Sequence, residues 1–206
     1  MKEQTLWQRK TSTILHSVVF FVIATAAYLI IPVIFGKDVV MFNRIWEWAM
    51  PILSALIAAS YIWYYAGLRG FRKILPQENQ KPVCMISTGV LLLLVAILFS
   101  LIPRIGAYLM PFMRVAAYMM IMWGFLHLSK SESFPAAARK GAYYLLLAYT
   151  VYMILTVFNF LSGLYESSSK LTYYILLFVQ AVKYIIMIKG WRDIRNAVPG
   201  KSATIE

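Results

Sequence analysis

Two cationic side chains stand inside long apolar stretches of this sequence, where they could bind an anion. Arg114 lies well inside one apolar run, and Lys183 lies closer to the end of another. A charge in such a segment is costly, so it normally marks a ligand or ion pathway. Alternatively, the long side chain reaches the nearer membrane surface while its stem stays in hydrocarbon. Both interpretations stay open for Arg114, whereas the position of Lys183 favours the second.

Polar side chains also recur at helical spacing in the same part of the chain. Separations of three, four and three residues place four of them on one helix face: Tyr149, Tyr152, Thr156 and Asn159. Arg114 shares a face with Tyr118, and Gln180 shares a face with Lys183 and Tyr184.

We interpret these faces as a polar cavity between the fourth, fifth and sixth helices. In this hypothesis Arg114 meets Asn159, and Lys183 meets Tyr149 and Tyr152. Cations, amides and hydroxyls without an acid suit an anionic or amphipathic small solute. The predicted ligand-binding residues are Arg114, Lys183, Asn159, Tyr152, Tyr118, Tyr149 and Gln180. The competing interpretation is that these groups hydrogen-bond between helices without a ligand.

Several other chemistries lack a signal in the sequence. All eight acidic residues lie outside the apolar runs, which disfavours proton coupling and metal transport. His16 and His127 have no metal-ligand spacing, and no nucleophile motif, catalytic pair or phosphate-binding loop is present. We therefore predict no enzyme activity, no metal and no cofactor.

The composition is that of a membrane protein. The chain has 206 residues, of which 61% are hydrophobic and 14% charged, and its mean hydropathy is +0.69. Soluble domains carry about 45–50% apolar and about 25% charged residues. A membrane-spanning helix needs about 20 apolar residues, and six runs qualify: 14–35, 49–68, 83–102, 107–128, 141–161 and 171–188. The sequence thus predicts a single all-α integral membrane domain, residues 1–206, with six transmembrane helices.

The basic residues predict how this domain is oriented. Net charge is +12, and lipid headgroups are the expected partners of these residues rather than nucleic acid. One set of loops and both termini carry Lys2, Arg9, Lys10, Arg69, Arg72, Lys73, Lys81, Lys130, Arg139, Lys140, Lys189, Arg192, Arg195 and Lys201. The opposite loops carry only Lys37, Arg44, Arg104 and Lys170. By the positive-inside rule, both termini lie in the cytoplasm and the protein in the inner membrane.

Related signals at the ends of the helices predict three hairpins that repeat in parallel. Gly190-Trp191-Arg192 corresponds to Gly70-Phe71-Arg72, and Gly124-Phe125 is a weaker match. Pro51 and Pro111 are expected near helix starts, where proline costs little. Residues 37–48 are expected to form the longest external loop.

Two functions fit this architecture. The first is a carrier or ligand-binding membrane subunit, driven by a gradient or by a separate ATPase on the basic side, because no ATP site is present. The alternative is a non-catalytic membrane partner with an assembly, regulatory or stress-response role. Its helix-packing residues would be the small side chains that permit close helix contact, namely Ala24, Ala27, Ser54, Ala55, Ala58 and Ala59.

Overall fold

The computed structural model describes residues 2–35, 39–99, 105–164 and 170–197 of the chain. These ranges contain helices and short turns but no strand, so the expectation of an all-helical fold is confirmed for them. The helices are α1 (Lys2–Phe35), α2 (Val39–Arg72), α3 (Gln77–Phe99), α4 (Ile105–Lys130), α5 (Ala136–Leu164) and α6 (Lys170–Asn196).

Several helices are longer than the apolar runs that predicted them. α2 begins at Val39, so the prediction of a loop over residues 37–48 is wrong for the part described. Pro51 lies inside α2 and Pro111 inside α4, so the expectation that both lie near helix starts is wrong. Arg44 and Glu47 lie just before the apolar run and limit it on that side. They do not limit the helix, because arginine and glutamate are good helix formers. An internal proline is tolerated where neighbouring helices support the backbone.

The outside of the bundle is apolar. Each of α1 to α5 contains a segment long and apolar enough to cross a membrane, whereas the described part of α6 is more polar. Large side chains such as Trp48 (76% exposed) and Phe178 (70% exposed) point outward. A soluble monomer rarely exposes so much apolar surface, so this exterior is compatible with a surrounding of lipid.

The helices form a closed ring. Each helix packs against the helix before it and the helix after it in the chain, and α1 packs against α6. Consecutive helices are therefore neighbours all the way round, and the ring encloses a central axis.

A buried glycine brings the two helices of each hairpin together. A Cβ built on Gly67 of α2 would lie 2.8 Å from Ile14 Cγ1 of α1. On Gly124 of α4 it would lie 2.5 Å from Ile86 Cγ1 of α3, and on Gly190 of α6 it would lie 2.8 Å from Leu145 Cγ of α5. Real Cβ atoms essentially never approach so closely.

The positions around these glycines also match between hairpins. The residue after each one is buried: Leu68, Phe125 and Trp191. Six residues before each glycine is a tyrosine: Tyr61, Tyr118 and Tyr184. The packing thus makes Gly67 the counterpart of Gly190. The correspondence expected from the sequence was Gly70 with Gly190, which is three residues away. A Cβ on Gly70 would meet only the Lys10 side chain, at 3.5 Å.

Aromatic contacts close the ring at the end where α1 begins and α2, α4 and α6 terminate, which we call the basic end. Trp7 Nε1 donates a hydrogen bond to the Ile194 carbonyl at 2.8 Å, joining α1 to α6. The Trp7 ring contacts Phe71 edge-on, with centroids 4.9 Å apart, and Phe134 at 5.8 Å. Nearby, Asn79 Nδ2 donates to Ser133 Oγ at 3.0 Å.

We predict that Gly124→Ala destabilises the protein and that Gly70→Ala does not. The new methyl group at position 124 would lie 2.7 Å from the Pro82 carbonyl oxygen as well as against Ile86, and such overpacking costs about 1–3 kcal/mol. Thermal unfolding in detergent measures both variants. Equal melting temperatures for them would contradict the close packing of α3 on α4.

Candidate functional site: the central cavity

Inside the ring lies a partly open cavity of about 620 Å³ that all six helices line. This volume is within the range of about 300–1,000 Å³ typical of small-molecule sites. The cavity lies toward the ends of α1, α3 and α5 and the beginnings of α2, α4 and α6, away from the basic end. The sequence placed a polar cavity between the fourth, fifth and sixth helices only. Ring closure adds the other three.

The polar lining contains four of the predicted ligand-binding residues: Arg114, Tyr118, Tyr152 and Gln180. Ser54, predicted as a helix-packing residue, lines the cavity as well. The remaining polar lining residues are Thr25, Tyr61, Thr156 and Tyr184. None of the lining residues in the described part of the chain is Asp, Glu, His or Cys, so Arg114 faces amides, hydroxyls and aromatic rings there.

Apolar side chains make up the rest of the wall: Phe21, Met50, Ile57, Leu93, Ile97, Met110 and Leu155. The cavity is therefore amphipathic, with one cation and several hydrogen-bonding groups set among hydrocarbon and aromatic surface.

Lys183 lies behind the cavity wall rather than in it. Its side chain is only 1% exposed, and its Nζ lies 3.5 Å from the ring centroid of Tyr152 and 4.3 Å from that of Tyr184. The ammonium also donates a hydrogen bond to Gln180 Oε1. These contacts bear out the expected meeting with Tyr152, and they do not show the side chain reaching toward a membrane surface.

Stacked aromatic rings form the floor of the cavity on the side of the basic end. Tyr152 stacks on Tyr118 at 5.3 Å and on Tyr149 at 5.5 Å between ring centroids. Tyr149 in turn stacks on Phe125 at 5.8 Å, and Phe125 meets Trp191 at 6.0 Å. Tyr149, predicted as a ligand residue, thus belongs to the floor. Asn159 lies in α5, and its side chain is outside the described part of the structure.

A second, much smaller space lies beyond this layer. It has a volume of about 10 Å³ and shares Phe21, Tyr61 and Tyr152 with the central cavity. Tyr64 and Tyr149 also line it. About 10–15 Å³ is the minimum that holds one water molecule.

The small residues predicted for helix packing have mixed environments. Ala24 is buried in the bundle, and Ala27 and Ala58 are partly exposed. Ala55 and Ala59 are exposed on the outside of α2. Their role in binding a partner helix stays a prediction.

Sequence reasoning missed the contribution of α1 to the site. Thr25 was not singled out, although Phe21 and Thr25 have the same spacing on α1 as Tyr152 and Thr156 on α5. Both threonine hydroxyls donate to the carbonyl four residues earlier, at 2.8 Å and 2.9 Å. An aromatic residue followed four positions later by threonine was therefore the available signal.

Among the residues that the structure describes, no group of three or more His, Cys, Asp or Glu side chains could hold a metal ion. Comparisons with protein-family models, with curated proteins and with solved structures found no match.

We predict that Tyr152→Phe leaves stability unchanged and Tyr152→Leu lowers it. The Tyr152 hydroxyl is buried and has no hydrogen-bond partner among the described residues, while its ring faces the Lys183 ammonium. Loss of that cation–π contact costs about 0.5–2 kcal/mol. Thermal unfolding distinguishes the two variants, and a marked loss for Tyr152→Phe would assign the hydroxyl a structural hydrogen bond.

Proposed function

We propose that this protein is a multi-pass membrane protein that binds an anionic or amphipathic small solute in its central cavity, as a carrier or a ligand-binding membrane subunit. The observation that carries this proposal is the position of Arg114. Its side chain lines a cavity whose described walls contain no carboxylate.

The electrostatics of the cavity favour an anionic ligand. The Arg114 side chain is partly buried and its guanidinium stays charged, and a charge removed from water without a partner is unfavourable. An anion bound at Arg114 supplies that partner and accepts paired hydrogen bonds from the guanidinium fork. The hydrocarbon walls, including Met50 and Leu93, accommodate an apolar body attached to the anionic group.

The arrangement supports transport or ligand capture better than catalysis. No lining residue in the described part is a carboxylate, histidine or cysteine, which are the usual general acids, bases and thiol nucleophiles. Movement of a solute across the membrane would require the aromatic floor to open toward the basic end. Energy for that step would come from a solute gradient or from a separate ATPase.

We further propose that three repeated hairpins built the ring, each crossing the membrane twice, with both termini in the cytoplasm. The matching glycine contacts at Gly67, Gly124 and Gly190 support this repeat. Arg114 and Gln180 then occupy equivalent positions, each ten residues before the glycine of its hairpin. Transporters built from repeats commonly bind their substrates where the repeats meet.

Binding of 2-naphthoate, a carboxylate on an apolar aromatic body, tests the proposed site. We expect Arg114→Leu to weaken binding by at least about tenfold, because it removes one partner of a buried charged contact. Arg69→Leu is the matched control, since Arg69 is exposed and its guanidinium lies 5.9 Å from the centroid of the Tyr65 ring, outside the lining of the cavity. Equilibrium dialysis of the purified protein in a non-ionic detergent measures both affinities. Equal affinity of the Arg114→Leu variant and the wild type would contradict the proposal.

The orientation has its own test. A fluorescent protein fused after Glu206 is expected to fluoresce, and alkaline phosphatase fused within residues 165–169 is expected to be active, because the basic loops stay in the cytoplasm. The same phosphatase fused within the turn at residues 131–134 is the control and is expected to be inactive. The reverse pattern of activities would place the termini outside and overturn the topology.

A further inference from the structure

Lys183 is the one buried lysine in the described part of the chain, and the proposed binding function gives it no direct contact with the ligand. Two tyrosine rings, those of Tyr152 and Tyr184, lie against its ammonium. Both rings also line the cavity, so they separate the ammonium from the space that a ligand would occupy. What Lys183 does reach is the side-chain oxygen of Gln180, one turn earlier on α6.

That hydrogen bond fixes which end of the Gln180 amide the cavity receives. A primary amide has one acceptor oxygen and one NH₂ donor, and the Lys183 Nζ donates to the acceptor oxygen of Gln180. Because Lys183 engages Oε1 from behind the wall, the Nε2 end is left to face the cavity. A glutamine free of this contact could turn its amide over at little cost and offer either group.

We propose that Lys183 is a positioning residue that makes Gln180 a hydrogen-bond donor in the cavity, so that the site selects carboxylates over neutral amides of the same shape. This inference rests on the proposed function and specifies its ligand class. Arg114 and Gln180 hold equivalent positions in their hairpins. They therefore present N–H groups to the cavity from α4 and α6 at a similar depth.

A carboxylate is the group that these donors fit. It has two oxygens that only accept hydrogen bonds, whereas a primary amide presents one acceptor and one donor. The NH₂ group of an amide ligand would face an N–H donor of Arg114 or Gln180. One N–H group of the ligand and one of the protein would then each lack an acceptor. A site rejects a ligand that leaves buried polar groups unpaired more strongly than a ligand that only lacks an apolar contact. The ligand class is thus an apolar or aromatic monocarboxylate.

The test compares the affinities of 2-naphthoate and 2-naphthamide by equilibrium dialysis of the full-length protein in non-ionic detergent. The variants are Lys183→Met, Gln180→Leu and the double variant. Lys189→Met is the control, because Lys189 also lies on α6 and contacts a ring of α5, that of Tyr144 at 4.7 Å, but is exposed. Melting temperatures identify any variant that fails to fold.

We expect each single variant to lower the preference for naphthoate over naphthamide by about tenfold, the loss of one hydrogen bond to a charged group. The double variant should lose no more than either single variant, because Lys183 acts through Gln180. The control should keep the wild-type preference. The double variant lacks both Lys183 and Gln180, so it leaves no lysine amino group buried without its hydrogen-bond acceptor. It therefore remains informative if Gln180→Leu alone does not fold.

The other outcomes each contradict a different statement. Losses that add in the double variant would show that Lys183 acts through its charge alone and would overturn the positioning role. An unchanged preference in Lys183→Met, with binding still dependent on Arg114, would overturn this inference and leave the proposed function in place. Equal affinities of the wild type for both probes would likewise overturn this inference, whereas naphthoate binding that is unchanged in Arg114→Leu would overturn the proposed function itself.

Discussion

The placement of two basic side chains, Arg114 and Lys183, inside an apolar ring of helices is the constraint on which the rest of this structure depends. Arg114 lines the cavity, and Lys183 lies directly behind its wall. Burying a cation is costly, so the surroundings must compensate. Among the described residues, the Tyr152 and Tyr184 rings and the Gln180 side-chain oxygen contact the Lys183 amino group. Hydroxyl groups line the cavity together with Arg114. A bound anion would complete this compensation at Arg114.

Close helix packing makes the ring possible. At Gly67, Gly124 and Gly190 a helix approaches its partner so closely that no side chain fits. These contacts lie toward the basic end of the bundle, where Trp7, Phe71 and Phe134 fill the space. Farther from this end the lining residues leave a cavity instead. The same three hairpins thus supply a packed floor in one half of the ring and a ligand-sized space in the other.

The aromatic side chains link these two halves. Tyr118, Tyr152 and Tyr184 line the cavity. Tyr149 and Phe125 continue the stack below it, and Trp191 meets Phe125 edge-on. Ring faces can hold a cation and pack against hydrocarbon at the same time. This double capacity lets one layer of residues line the cavity and contact the Lys183 amino group at the same time. A solute that passed through the ring would have to separate these rings.

The sequence by itself determined the all-helical, apolar character of the described residues and part of the polar lining of the cavity. Apolar runs and helical spacing are local properties, so Arg114, Tyr118, Tyr152 and Gln180 could be selected from them. Only the tertiary structure decided that all six helices share the cavity, that Thr25 contributes to it and that Lys183 lies behind its wall. The start of α2 was also not predicted, because charged residues interrupt an apolar run without ending a helix. These features depend on which helices become neighbours, and spacing along one helix carries no information about the side chains that another helix brings to it.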